Sequence, residues 1–300
     1  MLFGEHAVLS GGAAIACAVE ARLKVEVVLR EDRDVFIYSA LGDLHTRLDH
    51  LTKNSVHRFV LALLERWTNR LPSGVDITIT SDFSHEVGLG SSAALTVAVA
   101  AAFRAICGLP MKERTLMDEC LAVVQSVQGG GSGTDLVASI YGGTILYRPD
   151  TRTVTSLAED LPIALYFSGY KTPTSEVIAR VRKERSVLPS LYDHLYRVMN
   201  ECTQQATGAI RERNLSRLGR CMNLYHGLLD SLGVSDKTLA SLVYQLRDKG
   251  ALGVKISGSG LGDCVVALFR DEAEIVELEG YERLPVTVSK CGVYVESDPK

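Results

Sequence analysis

DFSHEVGLGSSAALTVAVAAAFRAIC, residues 82–107, sets a glycine-rich loop in front of a long Ala-rich run. The preceding Val75-Asp76-Ile77-Thr78-Ile79-Thr80-Ser81 alternates β-branched apolar with polar residues, the pattern of a half-buried strand. The run after the loop holds no Gly or Pro and favours helix. Between them, Gly88-Leu89-Gly90-Ser91-Ser92-Ala93 lets the backbone turn tightly and approach a ligand. The two serines add hydroxyls and backbone N–H groups at a helix start, where the dipole favours an anion.

Three readings of that loop compete. A strand-to-helix turn with a serine cap is the plain one. Gly88-x-Gly90-x-x-Ala93 also fits a dinucleotide fingerprint, but no strand about twenty residues further on ends in an acid for a ribose. The third is a nucleoside triphosphate site of another kind, since the chain has no G-x-x-x-x-G-K-[ST] sequence.

Moving outward, Leu116 to Val127 has helical spacing and runs into Gln128-Gly129-Gly130-Gly131-Ser132-Gly133-Thr134-Asp135. Four glycines in five positions carry a large entropic cost, so a loop that delivers Ser132 and Asp135 into a site stands beside the simpler reading of Asp135 as a helix cap. Thr144 to Tyr147 is a strand. The segment Thr151 to Leu161, with Pro149 and Pro162 near its ends, divides the chain into domains at 1–155 and 156–300.

On the N-terminal side, Met1 to Leu9 opens inside an apolar run that reads as a strand, and an exposed pair at its end is the plainer of the readings open for Glu5-His6. Leu23 to Leu29 and Val35 to Tyr38 are strands, with His45 and His50 in a loop or edge strand. Ser55 caps a helix reaching Trp67 that carries His57 on its polar face. In the second half, Ile163 to Phe167 is a strand, and the polar loop Ser168 to Ser175 caps a helix from Glu176 to Arg185. Three more helices break near Pro189, Asn214 and Gly233. Gly253 to Ile256, Cys264 to Phe269 and Val286 to Val295 are strands, and Ser257 to Asp263 is a second glycine-rich loop. The fold class is α+β, with an antiparallel sheet in the second half.

Composition bounds the partners. The net charge of −4 and pI near 6.0 give no basic field for nucleic acid. No run of about 18 apolar residues suggests a membrane span, and no basic leader suggests secretion. The seven cysteines are scattered, odd in number and mostly in apolar runs, which points to reduced thiols in a cytoplasm. The basic cluster Arg180 to Arg185 reads as a solvated helix face.

Leu2-Phe3-Gly4-Glu5-His6-Ala7-Val8, Gly88 to Ala94, Ser132-Gly133-Thr134-Asp135 and Lys255 to Gly262, in this order, resemble the motifs of the GHMP kinase family, and G-E-H-A-V is most similar to its mevalonate kinase branch. The resemblance implies a two-domain fold: a first domain like ribosomal protein S5 domain 2 and a ferredoxin-like second, with ATP and substrate between them. It implies phosphoryl transfer from ATP with Mg²⁺ to mevalonate. By position, Glu86, Val87, Gly88, Leu89, Gly90, Ser91, Ser92, Ala93 and Ala94 would wrap the ATP phosphates, with the Ser92 hydroxyl on the metal. Asp135 would act at the acceptor hydroxyl. Glu5, His6, Ser132, Gly133, Gly258, Ser259 and Gly260 would shape the substrate pocket. A homodimer is the usual assembly of the resembling family.

The pattern departs from the family in four places. Members carry Gly-Lys shortly before L-F-G-E-H; this chain starts beyond it, so the natural N-terminus is expected to extend further, with Lys171 the substitute cation otherwise. The family's metal-binding Glu would fall at Val124 or Gln125. The phosphate loop has Ser84-His85-Glu86-Val87 where a Pro is usual, and Asp263 stands where a small residue is usual. Phosphomevalonate or a sugar remains an alternative acceptor, for which Lys171 and Arg148 are the cations at hand, and a non-catalytic ATP-binding member remains an alternative class.

Overall fold

A computed structural model describes residues 1–83, 89–158 and 160–296. In chain order the first elements are β1 (Ala14–Cys17), β2 (Leu23–Leu29), β3 (Asp34–Ser39), β4 (Leu44–Arg47), α1 (Arg58–Trp67) and β5 (Val75–Ser81). Next come α2 (Ser91–Ile106), α3 (Glu113–Gln128), α4 (Thr134–Tyr141), β6 (Thr144–Arg148), β7 (Thr153–Ala158) and β8 (Ile163–Lys171). The chain finishes with α5 (Thr174–Val187), α6 (Pro189–Arg211), α7 (Leu215–Ser231), α8 (Lys237–Asp248), β9 (Gly253–Ser257), β10 (Gly262–Leu268) and β11 (Glu282–Leu284).

Backbone packing groups the described residues into two units. One holds 1–20, 89 and 143–290; the other holds 21–83, 90–142 and 291–296. The second unit is built on a mixed sheet in the order β2-β5-β3-β4, with β3 and β5 parallel and the other pairs antiparallel. β5 bears out the period-two reading: Val75 and Ile77 are buried, while Asp76 and Thr78 are half-buried. Val35 and Ile37 of β3 are buried with them. Helix α1 buries Val60, Leu63, Leu64 and Trp67 at helical spacing, each worth roughly 1.5–3 kcal/mol of apolar burial. Helix α2 packs on β2, α1, α3 and α4, so the Ala-rich run is the centre of this unit.

The first unit has two antiparallel sheets, β1-β6-β7 and β11-β8-β10-β9. Its core joins Tyr166 and Val265 of the larger sheet to Met199, Met222 and Leu242 of the helices. The helix breaks fall where the sequence puts them, and two starts are capped as their residue types dictate. Asn214 Oδ1 accepts from the Arg217 N–H at 3.0 Å, and Asp236 Oδ1 accepts from the Leu239 N–H at 3.0 Å.

Several local expectations are corrected. Residues 1–9 make only an isolated bridge, Phe3 to Ile15, and then a 3-10 turn, Ala7–Ser10. Helix α1 starts at Arg58, not Ser55, because Asn54 Oδ1 takes the Val56 and His57 N–H groups and closes the turn before it. His57 is buried and its Nε2–H donates to the Gly42 carbonyl at 3.0 Å. The polar 168–171 stretch continues β8, held by β10. The 151–161 segment contains β7, which returns antiparallel on β6. Residues 286–295 form only the Val19–Val288 bridge.

Candidate functional site

In the second unit, two helices begin on left-handed glycines and neither has a side-chain cap: α2 after Gly90 (φ 78°) and α4 after Gly133 (φ 80°). The Gly90 carbonyl accepts from the Ala93 and Ala94 N–H groups, which leaves the Ser91 and Ser92 N–H groups outside the helical ladder. A Cβ placed on Gly90 would lie 3.4 Å from Asp135 Cβ and 3.9 Å from its Oδ2. A glycine adopts this φ without strain, and here the two helix starts come within ordinary van der Waals reach. The result is a pair of positive helix ends beside one carboxylate.

Asp135 lies in the first turn of α4, exposed, and makes no cap bond, so the cap reading of this residue does not hold. Its loop is ordered instead by Ser132, whose hydroxyl bonds Thr134 Oγ1 at 2.9 Å and accepts the Thr134 N–H at 3.3 Å. Ser91 and Ser92 are half-buried at the start of α2, followed by buried Ala93 and half-buried Ala94. Glu86, Val87 and Gly88 lie outside the described residues. Val124 is buried and Gln125 is exposed. The nearby carboxylate of Glu119 is engaged, accepting from Trp67 Nε1–H at 2.5 Å and from Arg104 at 3.3 Å. Among the described residues, no three His, Cys, Asp or Glu side chains cluster as a metal cage.

In the first unit the structure overturns the reading of Glu5-His6 as an exposed pair. Glu5 is 2% exposed and His6 7%. The cause is Gly4, whose φ of 102° turns the chain where an added Cβ would sit 2.6 Å from Ala14 Cα. That turn drives Glu5 inward to Lys255, which is fully buried on β9. Lys255 Nζ donates to Glu5 Oε1 and to the Ile256 carbonyl, both at 2.5 Å. The ammonium also lies 5.4 Å from the Tyr225 ring and 6.0 Å from that of Phe3. Burial pushes the Lys255 ammonium down from its ordinary value, and the Glu5 carboxylate draws it back up. Glu5 Oε2 is buried with no partner.

Tyr225 on α7 locks the same turn. Its hydroxyl accepts the Gly4 N–H at 3.0 Å and donates to the Glu5 carbonyl at 3.2 Å, while its ring meets Phe3 edge to face at 5.3 Å. His6 sits at φ 60°, a region that costs a non-glycine residue strain. Its Nε2–H donates to the Ser259 carbonyl at 2.8 Å. Burial lowers the His6 pKa, which favours the neutral ring with Nδ1 as an acceptor. The motif Glu5-His6 and the loop of Gly258, Ser259 and Gly260 are thus brought together.

That loop hangs on Val234, whose carbonyl accepts the Leu261 N–H at 2.8 Å, and on Thr172, whose hydroxyl donates to the Leu261 carbonyl at 2.6 Å. Leu261 and Asp263 are both left-handed, with φ of 54° and 65°. Lys171 Nζ lies 3.6 Å from Asp263 Oδ2, so the lysine considered as a substitute cation is paired within its own unit. Lys255 and Tyr225 were not singled out as functional residues by the sequence. The signal for Lys255 was a lysine inside the apolar Val254-Lys255-Ile256 strand, where an unpaired charge is not tolerated. Tyr225 gave none.

The described residues thus present an uncapped helix-start cradle with a carboxylate and, separately, a rigid motif built on a buried ion pair. The GHMP kinases N terminal domain family matches residues 54–143, and the GHMP kinases C terminal family matches residues 206–283. A mevalonate kinase of Pyrococcus furiosus is 32% identical over 99% of this chain and 96% of its own. A mevalonate kinase of Methanothermobacter thermautotrophicus is 32% identical over 89% of this chain and 86% of its own. Among solved structures, that of L. major mevalonate kinase in complex with R-mevalonate superposes with a TM-score of 0.75 at 25% identity, covering 97% of this chain and 94% of that one. Lactococcus lactis galactokinase complexed with galactose reaches a TM-score of 0.83 at 20% identity, covering 97% and 91%, and shares the fold.

The chain belongs to the GHMP kinase family. It is an ATP-dependent small-molecule kinase with the two-domain α+β fold of that family.

Proposed function

We propose that the chain phosphorylates the primary hydroxyl of mevalonate from ATP, giving 5-phosphomevalonate for isoprenoid synthesis. The observation that carries the reading is full-length similarity to proteins named mevalonate kinase, together with an exposed carboxylate at the shared start of two helices. The acceptor oxygen attacks the γ-phosphorus, the bond to the β-bridging oxygen breaks and ADP leaves. Asp135 orients the hydroxyl and takes its proton as the new bond forms. Backbone N–H groups of Ser91 and Ser92 receive phosphate oxygens, with Leu89 to Ala94 closing around them. Such positioning carries most of the catalysis in phosphoryl transfer, where the transition state is loose.

Mg²⁺ would neutralise the phosphates, held by the Ser92 hydroxyl, phosphate oxygens and water, a donor set usual for this ion. For the substrate, Glu5 and His6 with Ser259 supply a rigid polar surface in the first unit, His6 Nδ1 accepting a hydroxyl. In the second unit Ser132 and Gly133 flank Asp135. We place the enzyme in the cytoplasm, acting on a small molecule as a homodimer; none of its described helices is long and apolar enough to cross a membrane. The domain boundary proposed for these roles is 1–155, for the nucleotide, and 156–300.

ADP release by the purified chain with Mg-ATP, offered mevalonate, phosphomevalonate, galactose and homoserine in parallel, tests the assignment. Turnover on mevalonate at least about a hundredfold above the others, in kcat/KM, is expected from differential transition-state binding. Equal or greater turnover on phosphomevalonate or galactose would move the acceptor. ATP binding with no turnover on any of them would make the chain a binding module.

A further inference from the structure

Helices α6 and α7 form a tight antiparallel hairpin through residues 212–214, and two of the seven cysteines meet across it. Cys202 is buried on α6, and its Sγ donates to the Cys221 carbonyl at 3.4 Å. Cys221 on α7 is only half-buried, so one sulfur of the pair is open to small reagents while the other is not. Arg217 and Arg220 flank Cys221 on the same helix. Arg217 is spent on Glu212 and Gln205, and Arg220 on the Ser216 carbonyl, yet both add positive potential. The Cys202 thiol first, then these guanidinium groups, lower the Cys221 thiol to about 7, against the upward push of burial. Cys202 is displaced upward, as expected for the member that keeps the proton.

The other cysteines lack this arrangement. Cys120 and Cys264 are buried and pushed up by burial, and Cys17 bonds the Thr144 hydroxyl at 3.3 Å. Cys107 is half-buried and also raised, and Cys291 stands exposed.

We propose that Cys202 and Cys221 form a peroxide-sensitive dithiol, with Cys221 the attacking sulfur and Cys202 the resolving one. The Cys221 thiolate attacks one oxygen of hydrogen peroxide; the O–O bond breaks, water leaves and Cys221 becomes a sulfenic acid. The Cys202 sulfur then attacks the Cys221 sulfur, a second water leaves, and the disulfide closes. Two thiols lose two electrons to one peroxide, which becomes two waters. The cross-link falls one turn from Tyr225, whose hydroxyl holds Gly4 and Glu5, so the oxidised hairpin bears directly on the substrate motif.

Peptide mapping of the whole chain after brief peroxide treatment, without reductant, tests the proposal on the unmutated protein. The expected result is a linked peptide pair joining Cys202 to Cys221 that disappears on adding dithiothreitol. In the Cys202→Ser chain, a sulfenic-acid trap should label Cys221 instead, and in the reduced, unmutated chain iodoacetamide at pH 7 should modify Cys221 about tenfold faster than Cys107. Dimers linked through Cys291 with Cys202 and Cys221 both free would overturn it. So would labelling of Cys221 no faster than that of Cys107 in the reduced, unmutated chain.

Discussion

Glu5 and Asp135 are two carboxylates in two glycine-bounded motifs, and the fold treats them in opposite ways. Glu5 is driven inward by Gly4, gripped by Lys255 and backed by Tyr225. Asp135 is left exposed at a helix start, and no described cation pairs with it. The first carboxylate holds the molecule together, so its effect on activity is entangled with stability. The second contributes almost nothing to the core and is free for chemistry. Removing each should therefore break different things.

Asp135→Ala gives the largest expected effect on turnover. The side chain touches little, and its favourable place at the start of α4 is worth under about 1 kcal/mol of stability. Turnover should fall about a thousandfold with ATP binding unchanged, read by steady-state ADP release and by nucleotide titration. A fall under tenfold would remove Asp135 from the chemistry and leave it as one more surface carboxylate.

Lys255→Met should do the reverse. It strands the Glu5 charge in an apolar interior, at a cost of about 3–5 kcal/mol in urea unfolding. The double variant with Glu5→Gln should recover most of that stability, because a neutral amide needs no counter-charge. If Lys255→Met alone unfolds within about 1 kcal/mol of the unmutated chain, the pair is not the anchor that the comparison makes it.

How much of this contrast was legible beforehand follows from what each feature depends on. The loop from Gly90 into α2 and the helix breaks at Asn214 and near Gly233 follow from local propensity, and local propensity is what a sequence states most directly. The burial of Glu5 was not legible, because it rests on Lys255 and Tyr225, both more than two hundred positions away in the chain. A glutamate next to a histidine looks solvated until its distant partner is known. His57 misled for the same reason: its partner, the Gly42 carbonyl, lies outside the helix whose periodicity placed it on a polar face. Residues 286–295 look like a strand by composition, but they find one bridge partner and no ladder.

Acid should sharpen the difference further. Burial first, then the nearby Arg247 and Lys255 charges, lower the His226 pKa to about 4, with its Nδ1 buried and unpartnered. Above pH 6.5 His226 is neutral both folded and unfolded, and its contribution is fully present. As the pH falls from 6.5 towards 4 the unfolded chain takes up the proton and the folded chain does not, so stability drops, by about 3 kcal/mol at most. His6, lowered by burial, adds a loss of the same sign. Urea midpoints measured across that window should fall for the unmutated chain and fall less for His226→Gln. Parallel slopes would exclude His226 as the source.

The smallest effect belongs to Gly90→Ala, and it tests whether the Asp135 region is held by backbone geometry alone. At φ 78° an alanine costs about 1 kcal/mol, and its Cβ would press at 3.4 Å on Asp135 Cβ. The contact is ordinary in distance, so the core does not need to move. What changes is the angle at which α2 begins, and with it the direction of the Ser91 and Ser92 N–H groups. Stability should fall by about 1 kcal/mol, while kcat/KM for ATP falls about tenfold or more, since a small misplacement of a phosphate cradle is felt mainly in the transition state. Equal small losses in stability and activity would mean that the cradle tolerates a shifted helix start. A larger loss in activity than in stability would place the function of Gly90 in the precision with which it brings two helix ends to one carboxylate.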